Sequence, residues 1–202
     1  MGDARVLAAE VFQIICGRLA ERAGDLRHLA EAGSPFDGWL EGEAFLACRE
    51  RQADYPFDEV AARPTYGSEG IKEADGRPMT ERGGLRVGGT GEPGHHLWVF
   101  AEFVLLLDGE QRLEDWRAKT EAAAVRLLRL GWKRSASIMV VVAAGRGDAE
   151  ADWADDLAGL PAWNRPLLAA PIRLVFPDGW SATARAFDVK RDPADLLVVA
   201  AR

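Results

Sequence analysis

Glu102 is the one charge in an eleven-residue apolar run, LWVFAEFVLLL, at positions 97–107. Alternate residues of a strand share a face, so an extended run sets Glu102 among Trp98, Phe100, Val104 and Leu106. An ionised carboxylate in such surroundings is costly unless it is paired, protonated or bound to a cation. One chemistry that places an acid there is metal-assisted hydrolysis. The strand acid holds a divalent cation, and a lysine two residues later orients a water. Further acids come from a neighbouring strand and a helix. Candidate companions in this chain are Glu43 or Glu41 upstream, with Asp75 or Glu81 and Lys72 in the stretch between. The position two residues after Glu102 holds Val104, which can neither hold a water nor stabilise developing charge. If Glu102 is satisfied without a cation, Arg86 is the expected partner.

A second set of acids spells a similar pattern. Pro177-Asp178 is followed by Asp188-Val189-Lys190. If 180–190 is one extended strand, the two aspartates stand roughly 30 Å apart, too far to share an ion. A Pro-Asp-Gly turn with Asp188 and Lys190 on a solvated edge is the preferred reading. His95 and His96 are adjacent, so on a strand they point to opposite faces, and both read as surface residues at a strand entry. Cys16 and Cys48 lack metal-ligand spacing and read as reduced, buried thiols. GGLRVGGTGEPG (83–94) has neither the lysine nor the following helix of a phosphate-binding loop and reads as a hairpin. There is no Ser-His-Asp or Cys-His pattern.

These residues need elements to hold them. Helical spacing covers 4–32, with a break at Gly24, and resumes over 37–52 with Asp37 as N-cap. Residues 54–94 are rich in Gly, Pro, Glu and Arg and must hide at least one hairpin. Extended segments are expected at 84–89, 95–107 and 135–145, at two runs around the PDGW turn of 177–180, and near the C-terminus. The clearest helix is 112–132, stopped by Gly131; its arginines and lysines, Arg117, Lys119, Arg126 and Arg129 among them, read as a solvated face. The run DAEADWADDLAGL reads as a short acidic helix. A helix between the apolar strands 95–107 and 135–145 predicts a crossover, hence an α/β fold with a central mixed sheet flanked by helices.

At 202 residues and 48% hydrophobic, the chain suits one domain with a sizeable core. Its net charge of −7 argues against a general nucleic-acid coat, though a local basic groove would be compatible with it. No segment has the length and apolarity of a bilayer span, so no membrane association and a cytoplasmic location are expected.

The order helix, strands including GLRVGG, strand HHLWVFAEFVLLL, helix EDWRAKTEAAAVRLLRLGW, strand SASIMVVVAAG resembles the PD-(D/E)XK (restriction-endonuclease-like) nuclease superfamily. The resemblance covers 37–145. It leaves 1–36 as an N-terminal helical element and 146–202 as an extension of extra C-terminal strands. It implies a metal site on Glu102 and Glu43, with Asp75 as a third candidate ligand and Mg²⁺ or Mn²⁺ as the cofactor. The chain departs from the family at two positions. Gly84 stands where the family's aspartate precedes its strand, and Glu102-Phe103-Val104 stands for the E-x-K. The expectation is therefore a domain impaired as a nuclease, with no bound cofactor. It would work in binding or assembly with a protein partner, and with nucleic acid as a further possible ligand, in DNA processing or phage defence. Two alternatives follow: an active Mg²⁺-dependent nuclease with a migrated site, and an acidic, immunity-type protein–protein module.

Overall fold

The computed structural model describes residues 4–32, 37–55, 57–70, 76–91, 95–107, 115–130, 135–149, 151, 153 and 172–189. Three helices open the chain: α1 (Ala4–Glu21), α2 (Ala23–Ala32) and α3 (Asp37–Glu50). The interruption between the first two falls at Arg22, not at Gly24, which lies in the first turn of α2. Strand β1 (Phe57–Ala62) and a 3-10 turn (Tyr66–Glu69) follow, then β2 (Leu85–Gly91) and β3 (His95–Leu107). Helix α4 (Asp115–Arg129) crosses over to β4 (Ser135–Arg146), and β5 (Ile172–Val175) and β6 (Trp180–Asp188) close the described sheet. The expected acidic helix is described only at Asp148, which is not helical, and at Ala149, Ala151 and Trp153, which are. The expected C-terminal strand lies outside the described residues.

The six strands form one mixed sheet in the order β1-β2-β3-β4-β6-β5. β3 and β4 are parallel, from Trp98↔Ser135 to Leu107↔Ala144, and every other neighbouring pair is antiparallel. The parallel pair requires the long crossover that α4 supplies. The hairpin expected within 54–94 is β1 paired with β2, although 22 residues of chain, 63–84, separate the two strands.

Each face of the sheet is covered by helix, which explains why β3 and β4 are apolar on both sides. On one face Val99, Ala101, Phe103 and Leu105 of β3 join Ile138, Val140 and Val142 of β4 and the inner sides of α1, α2 and α3. On the other, Phe100, Val104 and Leu106 join Met139 and Val141, Trp116, Ala123, Ala124 and Leu127 of α4, Leu130 just past its end, and Tyr66, Met79 and Trp153. Trp153 meets Trp116 edge to face at 5.6 Å, which fastens the described part of the 149–153 segment beside the start of α4.

Candidate buried carboxylate site

Glu102 lies on the α4 face of β3, between Phe100 and Val104, and opposite Met139 of β4. It is 3% exposed, one of few buried polar residues among those described. Its strand is interior, and α4 with the Tyr66 turn covers this side of it. The carboxylate must therefore be satisfied from within.

Two side chains satisfy it. Arg126 of α4 reaches down as a fork: Nε donates to Oε1 at 3.3 Å and Nη2 donates to Oε2 at 2.9 Å. The Tyr66 hydroxyl, delivered by the 3-10 turn, donates a short hydrogen bond to Oε1. The carboxylate thus accepts from three donors and is neutralised by a guanidinium in two-pronged geometry, the strongest form of this pairing. Burial pushes the Tyr66 phenol well above its ordinary range, and the charge of Glu102 and the bond to it push it further. Burial works to lower Arg126, but the hydrogen bonds and charge of Glu102 outweigh that and hold the guanidinium above its usual value. The Tyr66 phenol therefore stays neutral and the Arg126 guanidinium stays charged well into alkaline pH.

Two glycines near the cluster have close neighbours. Gly83 lies against Tyr66, and a Cβ there would overlap the hydroxyl and ring. A Cβ at Gly84 would sit 2.7 Å from the carbonyl oxygen of Ala101 and 2.8 Å from Phe103 Cδ2. Both positions require glycine because of these close approaches. The Gly84 position, where the family resemblance sets an aspartate, therefore admits no carboxylate in this conformation. Val104, at the lysine position, is 2% exposed and packed in the apolar layer under α4.

The structure does not bring Glu43 to Glu102. Glu43 sits on α3, which packs on the opposite face of the sheet from Glu102. Its carboxylate pairs with Arg18 at 3.7 Å and Arg22 at 3.5 Å. Glu41 pairs with Arg63 at 3.6 Å. The reason is the layer order: an N-terminal helix can reach the Glu102 side only from that side of the sheet, and the apolar stripe of α3 takes it to the other. Asp75 and Lys72 lie outside the described residues. Glu81 is on the correct face, where its charge adds to the surroundings of Arg126, and its backbone carbonyl accepts the Tyr66 N–H at 3.1 Å. Among the described residues no group of three or more His, Cys, Asp or Glu side chains is arranged to hold a metal ion.

Arg86, the partner expected for Glu102, instead bonds Glu59 of β1 and lies 4.9 Å over the Trp98 ring. Asp178 is in the turn that was expected and pairs with Arg27 of α2 at 2.6 Å. Asp188 is not on a solvated edge. β6 is an interior strand, and Asp188 is 2% exposed, with Oδ2 2.8 Å from Arg5 Nη2 of α1, off the line of a well-aligned hydrogen bond but within ion-pair range. Lys190 lies outside the described residues. His95 and His96 are both exposed at the start of β3, and His96 Nδ1 is 3.4 Å from Asp58.

Arg126 does not belong to the solvated face expected for its helix: it turns inward to Glu102, and Tyr66 is a partner the sequence did not point to. Arg126 had a signal: it lies three residues after Ala123 and four before Leu130, on the flank of the buried stripe of α4, where a long side chain can turn inward. Tyr66 has none, because its place beneath β3 depends on how 63–84 folds back. Comparison with protein-family models and with curated protein sequences gave no match for this chain.

Proposed function

We propose that this chain is a restriction-endonuclease-like domain that has lost catalysis and serves in binding or assembly, with a protein partner, in DNA processing or phage defence. The supporting observation is that a guanidinium occupies the place of a cation. Arg126 forks onto the carboxylate that a nuclease would use for its metal, while Gly84 and Val104 stand where the second acid and the lysine belong. The element order α3, β1, β2, β3, α4, β4, with β4 parallel to β3, is compatible with the helix, three-strand meander, helix, strand order that the resemblance implies, and supports this reading. No helix of the described residues is long and apolar enough to cross a membrane. With two free, buried cysteines, a reducing, cytoplasmic setting is part of the proposal.

The test is a titration of the protein with Mn²⁺ by calorimetry, beside a plasmid-nicking assay in Mg²⁺ and in Mn²⁺. The expected result is no binding heat that depends on Glu102 and no nicking. Nicking that needs the metal and disappears in Glu102→Ala would overturn the proposal in favour of an active nuclease.

A further inference from the structure

No further inference is drawn: the strongest candidate, the polar groove of about 300 Å³ between α1 and α3 lined by Gln13, Gly17, Arg18, Glu50, Arg51 and Tyr55, has Arg18 and Glu50 already paired with each other, and nothing in the structure shows what would occupy it.

Discussion

Glu102, Arg126 and Tyr66 are interdependent, and the cost of removing one depends on what is left behind. Taking a charge out of water costs several kcal/mol, and only a well-formed pair repays it. Replacing Arg126 with Met leaves a buried anion held by a single phenol. Arg126→Met should therefore lower stability by about 3 kcal/mol in urea unfolding. Removing the whole polar set should cost much less, since the same volume can then pack as hydrocarbon. Tyr66→Phe/Glu102→Leu/Arg126→Met should recover most of the loss. A triple variant no more stable than Arg126→Met would show that Arg126 acts through packing of its aliphatic stem and not through charge. Tyr66→Phe alone should cost roughly 1.5 kcal/mol, the scale of a hydrogen bond to a charged group.

The segment 63–84 is the element that carries Tyr66 to the carboxylate, and its ends show how. Arg63 has φ +47, the left-handed region that a residue with a Cβ enters at a cost. Its N–H donates to the Gly84 carbonyl at 2.8 Å, so the turn out of β1 is tied to the turn into β2. Its side chain is 65% exposed and pairs with Glu41 at a long 3.6 Å. Arg63→Gly should stabilise the fold by roughly 0.5–1 kcal/mol, the left-handed penalty less the entropy of glycine; an unchanged or lower denaturation midpoint would refute that account. Gly83→Ala should do the reverse, because its Cβ must displace the Tyr66 ring. This segment also marks the limit of what was legible in the sequence. β3, α4 and β4 were readable because period-2 and period-3.6 apolar patterns are local, and the crossover followed from them. That Glu102 is buried and needs a partner was readable from its neighbours on the strand. Which partner was not, because the choice among Arg86, Arg126 and others is made by the face each side chain takes and by the return path of 63–84. The same holds for Glu43, whose helix is plain in the sequence while the side of the sheet it packs on is not.

At the scale of the whole molecule, alkaline pH is the condition that bears on the buried groups together. Burial pushes the Cys48 thiol up to about 12, and that of Cys16 likewise to about 12 although a hydrogen bond from Ile172 works against it; the ordinary value is 9.0. Tyr66 is raised in the same sense. Each thiol is neutral when folded and ionises more readily when unfolded, so its contribution is complete below about pH 9 and is lost as pH climbs from there toward 12; Tyr66 adds to the loss only above about pH 10, where the unfolded phenol ionises. Urea midpoints should be flat from pH 7 to 8.5 and fall above pH 9, with a shallower fall in Cys16→Ala/Cys48→Ala. A flat profile to pH 10.5 would contradict the burial of both thiols. The strand order carries a different consequence, for the growing chain. β5 is made before β6, but among the described strands it pairs with β6 alone, because β6 inserts between β4 and β5. Until the ribosome has released Asp188, the apolar β4 lacks the strand that pairs with its edge in the folded sheet. Such an edge is a template for foreign strands. Nascent chains stalled before Trp180 should therefore recruit holdase chaperones or self-associate, while chains stalled well past Asp188 should not, a difference that crosslinking of arrested ribosome complexes can read.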